Sequence, residues 1–477
     1  MALLNGARDR ERLRLLWQLG WPAIIEQILG TMVSYVDTAM VGSMGANGTA
    51  AVSVNGPALW LIGSAMMGIG VGYSVQVSNA VGAGDRERAK KITQQGFLAA
   101  LVSGLVALLV YEGLGGYIPL WMGAREEIRL QSIHYLRIYA LAYPFMAFQG
   151  IFSSILRATG NSKTPLLINT QTNIINTVLN FFLIYPTRVW GGFTIPFLDL
   201  TVGKGLTIPG LGWGVEGAAA ASAIAISVGG VRTALACFRQ KGYETGLTHS
   251  ALKPDRPIIR RALRLGLPSA GEEMVINLGQ IAMTALVAHN LTTVALAANS
   301  IATVAEDFCF RPAMGIGFAA VALVGQSVGA GDREDVEAYG HLGGALAVFV
   351  SAILSLIMFI FCPVFMRAFN SDPNVVTEAA RALRVMLVVE PLFAAANGYS
   401  GALRGVNDTK FPMIVGLVCM WCIRVPLAFL FILKLHMGLV GVWLAMACDL
   451  SGRGILSMVR WYRKRWVGLC GLEGQKG

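Results

Sequence analysis

The sequence predicts an all-α polytopic membrane protein: twelve transmembrane helices in two six-helix lobes related by a pseudo-two-fold axis along the membrane normal. Three observations carry this. The 477-residue chain is 55% hydrophobic and only 14% charged, with a mean hydropathy of +0.59; a soluble globular protein carries roughly 25% charged residues. Apolar runs of about 20 residues, enough to cross about 30 Å of hydrocarbon, recur along the chain. The second half also repeats motifs of the first in nearly constant register.

Punctuation by glycine, proline and charge places spans near residues 15–40, 53–79, 92–112, 131–154, 164–186 and 214–238, then 261–288, 299–325, 338–362, 378–402, 411–433 and 438–460. The first lobe is expected over residues 1–240, a cytoplasmic linker over 241–260, and the second lobe with its tail over 261–477. Arg8, Arg10, Arg12 and Arg14 precede the first span without a small-residue cleavage site, so that span reads as retained. Lysine and arginine crowd the alternate connections that share a side with these arginines. This bias puts both termini in the cytoplasm and the protein in the plasma (inner) membrane. The net charge of +11 is spent on orientation, and no nucleic-acid groove is expected.

The repeat is the most specific feature. Val81-Gly82-Ala83-Gly84-Asp85-Arg86-Glu87 recurs as Val328-Gly329-Ala330-Gly331-Asp332-Arg333-Glu334, 247 residues later. Leu136-Arg137 and Pro144 recur as Leu383-Arg384 and Pro391, and Leu156-Arg157, Lys163 and Pro165 as Leu403-Arg404, Lys410 and Pro412. Pro22 matches Pro268, one residue out of that register. Six spans per copy preserve the direction of every helix, so two similar bundles face each other across a cleft. The first copy carries an insertion, Tyr185 to Gly212, expected to form an extracytoplasmic hairpin or cap.

Several function classes drop out. Gly82-Ala83-Gly84-Asp85 lacks the Lys-Ser/Thr of a phosphate-binding loop, and Gly68-x-Gly70-x-Gly72 fails the dinucleotide pattern. No ATPase motor, enzyme or cofactor is indicated. Cys419-x-x-Cys422 lies in an apolar helical run without a partner pair and reads as helix packing. The 56 glycines, many inside spans, suit close helix approach and a possible gating role.

Ionisable groups in hydrocarbon are costly, so their positions inform. Asp37, near the end of the first span, is the best ion-coupling candidate, with Tyr35 beside it; the bland alternative is a helix cap near the outer interface. Asn169, Asn173, Asn176 and Asn180 share one face of the fifth span, where a water-filled cavity, a network with Asp37 or simple interhelical bonding would satisfy them. Glu272 and Glu273 follow Pro268 in the seventh span, and Glu272 matches Glu26, suggesting a shared structural duty. Glu306, Asp307 and Arg311 have no charged counterparts in the first copy. Asp307 and Arg311, four apart, either contact solute or form a salt bridge. Glu390 precedes Pro391 where Tyr143 precedes Pro144; both prolines should bend their helices and free a carbonyl. Glu272, Glu273, Asp307 and Glu390 are therefore the second-lobe candidates for substrate or cation. Aromatic residues such as Trp60 and Phe308 would favour amphipathic organic cations if they line a cleft.

These residues resemble the multidrug and toxic compound extrusion (MATE) family along nearly the whole chain. The likeness lies in Gly20-Trp21-Pro22, Val36-Asp37-Thr38-Ala39-Met40-Val41-Gly42, the paired Val-Gly-x-Gly-Asp segments, and Leu156-Arg157-x-x-Gly160-Asn161-x-Lys163-x-Pro165 with its partner. The resemblance implies two six-helix lobes and an antiporter that expels small organic solutes in exchange for H+ or Na+, working as a monomer among membrane lipids. The family's first-span aspartate falls on Asp37 and its fifth-span polar pair on Asn176 and Asn180; the latter position is aspartate in some members. The neighbourhoods where other members carry second-lobe acids hold Ile276-Asn277 and Ala394. Proton coupling is therefore favoured over sodium. A flippase for polyprenyl-linked saccharides is the alternative reading and should show a more basic cavity.

Overall fold

The computed structural model describes residues 7–189, 193–195, 200–202, 207–246, 253–370 and 372–471. Its first half contains α1 (Ala7–Gly42), α2 (Ala46–Ser53), α3 (Gly56–Gly82), α4 (Arg86–Leu114), α5 (Ile118–Trp121), α6 (Glu126–Ala140), α7 (Tyr143–Ala158), α8 (Lys163–Leu183) and α9 (Gly214–Phe238). The second contains α10 (Arg256–Asn290), α11 (Thr293–Ala330), α12 (Arg333–Phe369), α13 (Pro373–Gly405), α14 (Lys410–Val418), α15 (Val425–Phe429), α16 (Gly438–Tyr462) and α17 (Val467–Cys470). Between α8 and α9 the expected hairpin appears: β1 (Pro186–Val189) pairs antiparallel with β4 (Thr207–Leu211), and β2 (Phe193–Ile195) with β3 (Leu200–Val202). Residues 247–252 of the expected linker and 472–477 of the tail lie outside the described residues.

Seven helical stretches are long and apolar enough to cross a membrane, and α6 with α7 would make an eighth. Helices α1, α8, α10 and α13 coincide with expected spans but fall short of that apolarity, because they hold the acids and asparagines singled out above.

Two expected spans differ in shape. The run 131–154 is not one helix: α6 and α7 meet at a 48° bend. Pro144, at the first turn of α7, has no N–H to continue the ladder and clashes with the preceding turn. Its repeat mate Pro391 lies inside the unbroken α13. The run 411–433 is α-helical only in part, with π-helical turns at Cys419–Arg424 and Leu430–Lys434 flanking α15.

The two largest apolar cores are centred one in each half, the first also taking in Ala262 of α10. One is built on Tyr73, Tyr111, Tyr143, Phe152 and Leu156, the other on Met283, Leu383, Met386, Met420 and Trp443. Helices cross between the halves in pairs that exchange under the repeat: α1 packs on α11, and α10 packs on α3. Small residues set both crossings. A Cβ on Gly68 of α3 would lie 2.7 Å from Ala270 Cβ, and one on Gly315 of α11 would lie 2.9 Å from Ile24 Cα. Gly68 and Gly315 are repeat mates, so one close-approach device is used twice.

Arg8 pairs with Asp332, and Gly471 lines the same pocket as Arg88 and Val328, so both ends of the described chain lie on one face. On this terminal face α3 and α11 meet at their C-terminal ends. A Cβ on Gly82 would lie 2.8 Å from Gln326 Cα, and one on Gly329 would lie 2.9 Å from Asn79 Cα. These four residues are again two repeat-mated pairs, and their contact joins the halves at that end. Ion pairs join the halves beside it. Arg8 and Arg12 of α1 reach Asp332, Glu334 and Asp335 at the start of α12, and Lys91 of α4 sits 2.6 Å from Asp255 at the start of α10. The hydrogen-bonded Lys91 ammonium holds the Asp255 carboxyl below the usual carboxylate range. That stabilisation is present at neutral pH and is lost as pH falls through the lowered value.

Within each half the repeat writes the same buried ion pair: Arg157 to Glu26 at 3.0 Å and Arg404 to Glu272 at 2.8 Å. The shared duty of Glu26 and Glu272 is thus to anchor an arginine of the Leu-Arg motif. Arg404→Met should strand Glu272 and lower unfolding stability by about 3–5 kcal/mol. Adding Glu272→Gln should recover part of the loss in denaturant titrations of the detergent-solubilised protein. A double variant as unstable as the sum of its singles would contradict the pairing.

Candidate functional site

Helices α1 and α8 present the site. Asn169 donates to Glu26 Oε1, and Asn180 Nδ2 donates to Asp37 Oδ1 at 2.7 Å. Both pairs are separated by 143 residues in sequence, so the two helices run parallel in register. The asparagine stripe of α8 therefore meets the two acids of α1 three turns apart. Gln149 extends the lower end by donating to Asn169. At the upper end the Asn176 amide has two orientations; the one that satisfies both its groups points the nitrogen at Asp37. It then donates to both carboxylate oxygens, at 2.7 and 2.9 Å, and its oxygen accepts from Ser222 Oγ at 3.0 Å.

Asp37 and Asn180 open onto a cavity of about 340 Å³. Its walls include Trp60 and three tyrosines, Tyr135, Tyr139 and Tyr143, spaced by four. Tyr135 stacks on Tyr139 with ring centroids 6.0 Å apart, and Tyr139 meets Tyr143 edge-on at 6.3 Å. The Tyr143 hydroxyl donates to Leu59 O at 2.9 Å and lies 3.1 Å from Tyr111 Oη, which itself donates to Ala58 O. No lysine or arginine lines this cavity among the described residues. A carboxylate, two amides and a ladder of π-faces can hold either a proton or an organic cation: charge-assisted hydrogen bonds stabilise the ionised acid, and the rings attract a cation.

The other predicted residues fall elsewhere. Tyr35 turns away from Asp37 and donates to Asp307 Oδ2 at 3.3 Å, bridging α1 to α11. Asp307 is also paired along its own helix with Arg311, at 3.2 Å. Glu272 is engaged by Arg404. Glu273, Asp307 and Glu306 line a second cavity of about 210 Å³ in the second half, together with Arg424 and Arg453. Asp449, fully buried, pairs with Arg453 at 2.7 Å and lies 3.8 Å from Arg424. Glu390 is fully buried and does not line this cavity, and neither carboxylate oxygen has a hydrogen-bond partner among the described residues. Such burial is costly. Pro22 and Pro268 lie inside α1 and α10.

Sequence reasoning missed the tyrosine ladder, whose signal was the spacing of four from Tyr135 to Tyr143, interrupted by the break before Pro144. It also missed Ser222, a lone serine in an alanine-rich run with no distinguishing mark. The π-turn that carries Arg424 inward had no signal beyond Pro426.

A family model described as MatE matches residues 22–182 and again 268–430. The two matches begin at the repeat-mated prolines Pro22 and Pro268. A probable multidrug resistance protein NorM of Thermotoga maritima is 25% identical over 449 residues, covering 94% of this chain and 92% of that protein. Another, of Pseudomonas putida, is 28% identical over 476 residues and covers 97% of each chain. Among solved structures, the crystal structure of MATE in complex with MaL6 gives a TM-score of 0.85 at 21% identity, with 98% of both chains covered. The outward-facing conformation of a multidrug resistance MATE family transporter of the MOP superfamily gives 0.84 at 21% identity, covering 99% of this chain and 98% of that one. At such identity these two structures speak for the fold alone.

Proposed function

The chain belongs to the MatE family and is a multidrug efflux transporter, not an enzyme, and on that premise we propose that it is a proton-coupled antiporter for amphipathic organic cations. It spans the inner membrane twelve times as two lobes, residues 1–240 and 261–477, with both termini cytoplasmic, and works as a monomer by alternating access. The observation that carries this reading is Asp37, held by Asn176 and Asn180 at the wall of an aromatic cavity without a basic side chain.

The chemistry follows from competition at one carboxylate. Ionised, Asp37 accepts hydrogen bonds from two amides and attracts a cation resting against Tyr135 and Tyr139. A proton arriving from the outer side removes the charge, weakens those bonds and releases the cation. The close contact of Gly82 with Gln326 and of Gly329 with Asn79 supports a seal on the terminal face, which on this reading is the cytoplasmic side. In the second lobe Glu272 and Asp307 are engaged by arginines, leaving Glu273 and Glu390 as its candidates for a second cation or for solute. A flippase for polyprenyl-linked saccharides would need cationic side chains around its phosphates; a first-lobe cavity lined by Asp37 and tyrosines favours the cation reading.

In proteoliposomes with separately imposed gradients, a proton gradient alone should drive efflux of a cationic dye, and Asp37→Asn should abolish that drive. Efflux driven equally by a sodium gradient alone, or unchanged in Asp37→Asn, would contradict the assignment. Tyr139→Ala should weaken binding of an organic cation about threefold to thirtyfold, the worth of one aromatic face, while Tyr139→Phe retains it. Fluorescence titration of the purified protein reads both.

A further inference from the structure

A pocket of about 450 Å³ lies on the terminal face beside the contact of α3 with α11. Both halves line it. Arg88 comes from the first turn of α4 and Arg261 from the start of α10. Neither guanidinium forms an ion pair with a carboxylate among the described residues. Of the acids near it, Asp255 is paired with Lys91, and Asp85, which also lines the pocket, accepts from the backbone N–H of Arg88. Arg261 is held at the seam by Asn79, whose amide, with its nitrogen on Gly325 O at 2.8 Å, accepts from Arg261 Nη2 at 3.3 Å. Asn407 also lines the pocket, its buried Oδ1 without a donor among the described residues.

The repeat makes this arrangement informative. The mate of Arg88 is Asp335, which on the matching seam accepts from Arg12 and Arg8 of the opposite half. One seam therefore closes on opposite charges alone, and the other, besides its Lys91–Asp255 pair, brings together from the two halves two guanidiniums unpaired among the described residues. Like charges resist closure in proportion to how little solvent screens them, and an anion between them reverses the sign. We propose that this pocket is a site for a phosphate-bearing anion bridging Arg88 and Arg261, and that its occupancy holds the terminal face closed. Two guanidinium forks suit the tetrahedral oxygens of phosphate, and a protonated phosphate oxygen would give Asn407 Oδ1 its donor. The ligand is a lipid headgroup at the membrane surface or a soluble phosphate; the chemistry is the same.

The consequence for gating rests on the two-lobe reading above, but the anion is read without any gradient or solute, so either can fail alone. Hydrogen–deuterium exchange is measured on the full chain in phosphatidylcholine nanodiscs. One arm adds inorganic phosphate against chloride at equal ionic strength; the other replaces part of the lipid with phosphatidylglycerol. Exchange across residues 76–92 and 325–336 should slow about twofold or more in at least one arm, as expected for a ligand that binds the closed form. Response to phosphate names a soluble anion, and response to phosphatidylglycerol alone names a headgroup. Arg88 is exposed, so Arg88→Gln keeps the fold, and it should lose the response, as should Arg261→Gln. No slowing in either arm, or a response retained in both variants, overturns the proposal.

Discussion

A carboxylate placed between membrane helices must be met by donors or by countercharge, and the first half of this protein is organised around meeting two of them on one helix. Glu26 and Asp37 lie three turns apart on α1, and α8 answers with Asn169 and Asn180 at the same spacing. The register between the helices is thereby set by polar matching, while glycine and alanine set how closely α1 and α10 approach the opposite half. The two acids are satisfied differently. Glu26 has an arginine and serves as structure. Asp37 meets neutral amides at the wall of an open cavity, and the proposed exchange of its charge rests on that difference.

Where the repeat holds, the residues support the architecture; where it fails, the two halves differ in polarity and charge. The Glu26–Arg157 pair and its mate Glu272–Arg404, the glycine crossings and the α3–α11 contact all occur twice. In the register of the repeat, Asp37 falls on Met283, Asn176 on Ile423 and Asn180 on Leu427, so the second half has no copy of the polar cavity. Its own charges, Glu306, Asp307 and Arg424, stand where the first half has Leu59, Trp60 and Thr177. The two cavities are thus chemically unequal walls of one symmetric frame, and a solute moving between them would meet aromatic faces on one side and paired charges on the other.

Much of this was legible in the sequence because membrane burial leaves few reasons for a polar residue to sit in an apolar run. Asp37, the asparagine stripe and the Glu26–Glu272 match stood out on that ground. The direction of a side chain around its helix was harder to read. Tyr35 is two residues from Asp37 and points across the seam to Asp307, since neighbours two apart on a helix do not face the same way. Pro144 and Pro391 look alike in sequence, yet one lies at a helix break and the other inside an unbroken helix. The π-turns beside Pro426 and the α6–α7 bend that the tyrosine ladder crosses are backbone departures that no periodicity encodes.

The central claim is that a proton and an organic cation compete for the Asp37 carboxylate. The most direct measurement is proton release when a permanently charged organic cation is added to the purified, weakly buffered protein near the pH where its binding is half-maximal. The account predicts release that saturates with the cation and disappears in Asp37→Asn. Saturable cation binding without proton release in the unaltered protein, across the pH range where binding changes, would contradict it.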